Sequence, residues 1–143
     1  LYYTVAIKEP LAQPATLPLL ASLAVRRQLL LRYGVDCQIK WPNDLLLNGK
    51  KIVGILCESV SYGYQQQGRG ILCGIGINLA QPQSYFDAME LPHGTSLALQ
   101  GIAVDPAADA AAFSSWRFFA FSFASRAARE ASGTSSASSR PNR

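Results

Sequence analysis

Apolar and polar positions alternate from Leu1 to Lys8, where Tyr3, Val5 and Ile7 share one face. This two-residue period, with aromatic and β-branched side chains, predicts a strand closed by Glu9 and Pro10. The period then lengthens. Thr16 and Pro18 open a helical segment in which Leu20, Leu23, Ala24, Leu30 and Leu31 recur near helical spacing and are expected to meet the core, and Gly34 stands after Tyr33 as a left-handed stop. Alternation returns at Cys37, Ile39 and Trp41, predicting a strand from Asp36 to Trp41, and Pro42-Asn43-Asp44 breaks it into a turn. Asn48-Gly49 tolerates positive φ at both centres of a type I′ turn. Lying between Leu45-Leu46-Leu47 and Ile52-Val53-Gly54-Ile55-Leu56, it predicts a β-hairpin.

After the hairpin, Ser61 to Arg69 reads as a polar loop and Gly70 to Leu79 as another buried strand, in which Gly74 and Gly76 signal close backbone approach. Gln81 to His93 carries prolines and reads as a long loop, while Asp105-Pro106 is placed to cap a last helix of alanines. Phe113 to Ala124 mixes aromatics and serines without a clear period, and the Ser, Ala and Arg of Ser132 to Arg143 bury too little to order themselves. The chain thus divides into a core over residues 1–112 and a divergent, disordered tail over 113–143.

Composition narrows the classes. A chain of 143 residues with 49% hydrophobic and 15% charged residues can bury one sizeable core. The formal charge of +4 is spread out and partly carried by Arg126, Arg129, Arg140 and Arg143, so it makes a weak case for a nucleic-acid partner. Cys37, Cys57 and Cys73 lie in apolar runs without Cys-x-x-Cys spacing, as expected of reduced core residues in a cytoplasmic protein rather than of a metal or disulfide framework. Arg26, Arg27, Pro42 and Lys51 interrupt the apolar runs before any reaches membrane-spanning length. His93, the single histidine, has no partnered nucleophile and is assigned no role.

Three segments carry the chemistry: Lys40-Trp41-Pro42-Asn43-Asp44, then Lys50-Lys51-Ile52-Val53-Gly54-Ile55 on the second hairpin strand, then Gly74-Ile75-Gly76-Ile77-Asn78. In this order and at this spacing they resemble the successive signatures of biotin protein ligases. With Leu1 to Gly34, the resemblance spans roughly the first three quarters of the chain.

The resemblance implies an α/β domain, more narrowly α+β, with a mixed, largely antiparallel sheet backed by helices and similar to the class II aminoacyl-tRNA synthetase core, here incomplete. It implies ATP-dependent ligation of biotin, through biotinyl adenylate, to a lysine of a carboxylase's biotin carboxyl carrier domain. ATP and biotin are then substrates and Mg2+ the cofactor. By the same resemblance Lys51 is the catalytic cation and contacts biotin, Gly54, Gly74 and Gly76 line the biotin pocket, Asn43, Asp44 and Asn78 bind ATP, and Asp44 is the Mg2+ ligand. Lys50, one residue before Lys51, is expected on the opposite face. Trp41 is expected in the core or the pocket wall.

A homodimer is compatible with the family pattern, and no helix-turn-helix segment precedes the core in this sequence. The pattern also implies a Gly- and Arg-rich adenylate-binding loop before Leu1, a place that Gly68-Arg69-Gly70 does not take. Two rivals stay open: a lipoate or octanoate transferase, which shares the fold and a lysine, and a remnant without activity.

Overall fold

The computed structural model describes residues 1–8, 13–66 and 68–113. Five strands form one sheet: β1 (Tyr2–Ile7), β2 (Gln38–Lys40), β3 (Asp44–Leu47), β4 (Lys50–Tyr62) and β5 (Gly68–Ile77). Their spatial order is β1-β5-β4-β3-β2. Every neighbouring pair among the described strands runs antiparallel, in keeping with the largely antiparallel sheet expected, and no described strand supplies its mixed part. The only parallel pairing among the described residues is an isolated bridge between Lys51 and Gly94.

Among the described residues three α-helices accompany the sheet: α1 (Leu17–Tyr33), α2 (Gln83–Ala88) and α3 (residues 106–113). Alternation along the strands buries Leu45, Leu47, Val53, Ile55, Cys73, Ile75 and Ile77 on one face, and α1 packs there with Leu17, Ala21, Val25 and Leu29. This stripe has a spacing of four and differs from the expected one. Leu23, Leu30 and Leu31 are exposed, Leu31 to 70%. The helix is leucine-rich on more than one side, so spacing alone fits two stripes, and the small Ala21 and Ser22 decide which of them approaches the sheet closely. Gly34 ends α1 at φ 69°, as expected, with its N–H bonded to the Leu30 carbonyl.

The hairpin turn also follows expectation, with Asn48 at φ 51° and Gly49 at φ 77°. Elsewhere the bounds differ: β2 covers only Gln38–Lys40 of the strand expected over 36–41, while β4 outruns its expected end and β5 begins two residues early. β4 runs to Tyr62 and β5 starts at Gly68, because cross-strand pairing such as Ser61 with Arg69 carries the polar segment into the ladder. The expected long loop at 81–93 contains α2, whose Phe86 is buried. Asp105 caps α3 as expected: its Oδ1 accepts the N–H groups of Ala107 and Ala108, both at 3.1 Å. Asp109 of α3 is buried and paired with Arg32 of α1.

Phe113, the last described residue, is 1% exposed and belongs to the core. The rest of the expected tail, 114–143, lies outside the described residues. Among the described residues no helix is long and apolar enough to cross a membrane.

Candidate functional site

The sheet face opposite α1 carries a row that crosses four strands. Tyr2 pairs with Gly76, Gly76 with Gly54, and Gly54 with Asp44. Two adjacent glycines leave a flat floor between a tyrosine at one end and a carboxylate at the other. Thr4, Gly74 and Leu56 form the next row along the strands.

Lys51 reaches this face because of a β-bulge. Leu45 pairs with Val53 but Leu46 with Lys51, so Ile52 is an extra residue on β4. Ile52 and Val53 are consecutive in the chain and both buried, and the lost step of alternation turns Lys51 toward Gly54. The backbone there is held from outside the sheet: the Lys51 N–H donates to the His93 carbonyl at 2.7 Å and its carbonyl accepts the Thr95 N–H at 2.9 Å. The same segment then binds Asn78 and Leu79, since the Leu97 N–H donates to the Asn78 carbonyl and the Ala98 N–H to that of Leu79. Residues 93–98 therefore fasten the Lys51 strand to the end of β5.

The Lys51 ammonium lies 2.7 Å from Asp44 Oδ1, with the lysine side chain 46% and the aspartate side chain 16% exposed. Oδ1 itself is shut off from solvent and makes no well-aligned hydrogen bond, so the charge of Lys51 is what balances it. Asp44 is the first residue of β3 and not part of the turn as expected, since it pairs with both Lys40 and Gly54. Asn43 occupies the turn and extends the ladder: its carbonyl accepts the Ile55 N–H at 2.9 Å, and its side-chain amide donates to the Ile55 carbonyl at 2.8 Å. That amide nitrogen is thus occupied structurally. Asn78 Oδ1 accepts from Gln81 Nε2 at 3.3 Å.

Over this floor opens a cavity of about 780 Å3. Its lining includes Asn43, Asp44, Lys51, Gly54, Gly74, Gly76 and Asn78, so the structure brings the residues singled out from sequence into one place. Trp41 is not among them: it is 76% exposed, in the turn that follows β2 at the outer edge of the sheet. Lys50 is exposed and off the lining, and Arg69 stands at the far end of the β4–β5 hairpin.

Sequence reasoning missed Tyr2, Tyr85, Glu90, His93 and Gly94, which also line the cavity. The neighbouring Tyr85 hydroxyl and, to a smaller extent, burial hold the Tyr2 phenol above its usual range. Tyr3 projects to the other face, where burial, with a smaller contribution from Cys73, raises its phenol as well. The one available signal for the 90–94 wall was the Pro92-His93-Gly94 run, whose glycine, with no Cβ, packs directly on Phe86.

Fold and site together define an α+β domain with a cleft over the sheet, in which the strand residue Lys51 is paired with Asp44. The chain belongs to the biotin/lipoate A/B protein ligase family, whose model matches residues 1–78. It is 43% identical over 77 residues to the bifunctional ligase/repressor BirA of Bacillus spizizenii, a match covering 54% of this chain and 23% of that protein. It is 47% identical over 68 residues to the biotin--[acetyl-CoA-carboxylase] ligase of Paracoccus denitrificans, covering 46% of this chain and 28% of that one.

Among solved structures, the apo biotin protein ligase of Aquifex aeolicus shares the fold with a TM-score of 0.64 at 23% identity, over 85% of this chain and 52% of that one. The same enzyme in complex with biotin and ATP matches with a TM-score of 0.54 at 26% identity, over 73% and 42%. The chain spans about a quarter of the length of these curated relatives.

Proposed function

We propose that the protein carrying this chain is an ATP-dependent biotin protein ligase. Its first step joins the biotin carboxylate to the α-phosphate of ATP and releases pyrophosphate. Its second passes the biotinyl group to a lysine amine of a biotin carboxyl carrier domain and releases AMP. The observation that carries this reading is the Lys51 ammonium fixed over a glycine floor inside a cavity of about 780 Å3, a size suited to small-molecule substrates.

A carboxylate is ionised at neutral pH and needs no base in order to attack; what opposes the first step is the repulsion of two anions. Two unit charges about 4 Å apart at a partly shielded site repel by about 4 kcal/mol, and a fixed cation beside both offsets an energy of that size. Lys51 supplies that cation. Gly74 and Gly76 add no side chains of their own beneath the flat ring system of biotin, and the Tyr2 ring, 3.1 Å from the place of a Gly76 Cβ, borders it. Asn78 and the free side-chain oxygen of Asn43 are the proposed nucleotide contacts.

In the second step the carrier amine attacks the acyl carbon, the bond to the AMP oxygen breaks, and Asp44 is the proposed acceptor of the amine proton. Magnesium would supply further charge neutralisation at the phosphates. Among the described residues no group of three or more His, Cys, Asp or Glu converges, so the donors fit an ion that arrives on the nucleotide and takes Asp44 as a single protein ligand. The uncharged thiols, with Cys37 and Cys73 buried, suit a cytoplasmic setting.

Exchange of labelled pyrophosphate into ATP by the complete protein tests this function. The expected exchange needs biotin and is not supported by lipoate. Exchange with lipoate in place of biotin would favour the transferase reading, and none with either, despite both substrates binding, would favour an inactive remnant.

A further inference from the structure

Gly54 and Gly74 of the floor are not equivalent. A Cβ on Gly74 would meet Leu56 O at 3.7 Å and Thr4 Oγ1 at 4.0 Å, which is ordinary contact. A Cβ on Gly54 would lie 3.2 Å from Lys51 Cε, 3.3 Å from Lys51 Nζ and 3.9 Å from Asp44 Oδ1. The Lys51 arm therefore lies across Gly54 on its way to Asp44, and Gly54 faces a side chain of its own chain where Gly74 faces open floor.

We propose that Gly54 is a positioning residue for Lys51: its bare Cα is the groove in which the lysine arm lies, so that the amine rests against Asp44 before substrates arrive and passes from there to their anions. Three features fix the amine in turn. The bulge at Ile52 aims Lys51 at this face, the backbone bonds to His93 and Thr95 hold its main chain, and the groove holds its arm. A long, flexible side chain that is already laid in place loses less freedom on reaching its working position. The contact with Asp44 is a close charge pair without a well-aligned hydrogen bond, a clasp that an incoming anion can replace.

Alanine at position 54 meets only the flexible end of a lysine. The lysine can yield by a few tenths of an ångström, so the fold should survive while the amine is displaced. A Gly54 that served only as floor for biotin would respond differently, through biotin affinity and not through the rate of the chemical step.

Two measurements on the complete protein decide the matter. The first needs no ligand and stands whether or not the ligase reading holds: brief acetylation with acetic anhydride, read at each lysine by mass spectrometry. Lys51 is expected to react several-fold more slowly than the exposed Lys50 in the wild type. It should approach the Lys50 rate in Gly54→Ala, and in Asp44→Asn, which frees the amine without touching the floor. Gly74→Ala should leave the Lys51 rate at the wild-type value. Thermal melting of each variant establishes that it is folded.

The second measurement rests on the proposed function. In biotin-dependent pyrophosphate exchange, Gly54→Ala is expected to lower kcat about tenfold while the biotin Kd stays within about threefold, since displacing a catalytic group by a fraction of an ångström acts on the chemical step. Gly74→Ala should instead raise the biotin Kd. A folded Gly54→Ala whose Lys51 labels as in the wild type overturns the proposal, as does a variant that loses biotin affinity at an unchanged kcat.

Discussion

Alanine in place of Gly94 perturbs the wall of the cavity from a residue that no motif marks. A Cβ there would stand 2.5 Å from Phe86 Cδ1, 2.9 Å from Cε1 and 3.2 Å from the Leu91 carbonyl oxygen. Favourable carbon contacts begin near 3.5 Å, so the ring would have to retreat by about 1 Å. Phe86 is 1% exposed and packs edge-on against Tyr85 at 5.4 Å, which leaves it little space. Gly94 cannot withdraw freely either, because its N–H is bonded to the Leu91 carbonyl at 2.9 Å and it bridges to Lys51. Overpacking of this kind costs about 1–3 kcal/mol, and we expect about 2 kcal/mol by urea denaturation. Because residues 93–95 hold the Lys51 backbone, biotin-dependent exchange should fall as well. Phe86→Leu makes room at the same spot, so combining the two substitutions should cost less than their sum by about 1 kcal/mol. A Gly94→Ala protein within about 0.5 kcal/mol of wild type, or strict additivity with Phe86→Leu, would refute the packing given for this wall.

Three further outcomes follow from the fold. Gly34→Ala, at φ 69° with nothing within 4 Å of its added Cβ, should cost about 1 kcal/mol from backbone conformation alone, and equal stability in a melting experiment would contradict the left-handed cap. Asn43→Ala removes the 2.8 Å bond to Ile55 and should cost about 1 kcal/mol of stability; no loss in urea denaturation would show that the bond does not hold the turn. Burial, with a smaller contribution from Asp36, pushes the Cys37 thiol from its ordinary value near 9 up to about 11. The folded state thus favours the neutral thiol: its contribution is whole below pH 9 and is lost as pH rises toward 11. Denaturation midpoints should fall over that range and fall less in Cys37→Ala, and identical pH profiles for the two proteins would count against this origin.

Turns and caps were legible because a single residue fixes each of them locally. Asn48-Gly49, Gly34 and Asp105 act through φ or a side-chain oxygen, and each appears where the sequence puts it. Elements set by partners were not legible. The core stripe of α1 depends on which of two leucine-bearing sides meets the sheet, and the lengths of β4 and β5 depend on mutual pairing. The site divides in the same way. The motifs name the residues that gather at the floor, yet strict alternation counted back from Val53 would bury Lys51, and only the extra residue Ile52 turns it outward. Tyr2 joins the cavity through its pairing with Gly76, and His93 and Gly94 through the suture of residues 93–98, contacts set by partners of which the Pro92-His93-Gly94 run is the only local trace.

The central claim is that the amine at position 51, and not merely positive charge nearby, lowers the barrier to adenylate formation. Its most direct test compares Lys51→Ala with Lys50→Ala in the complete protein, by kcat/KM for biotin-dependent pyrophosphate exchange. Loss of one preorganised charged donor costs roughly 3 kcal/mol, about a hundredfold in rate. The expected result is a fall of that size for Lys51→Ala and a near-normal value for Lys50→Ala. Equal, small effects of the two substitutions would contradict it.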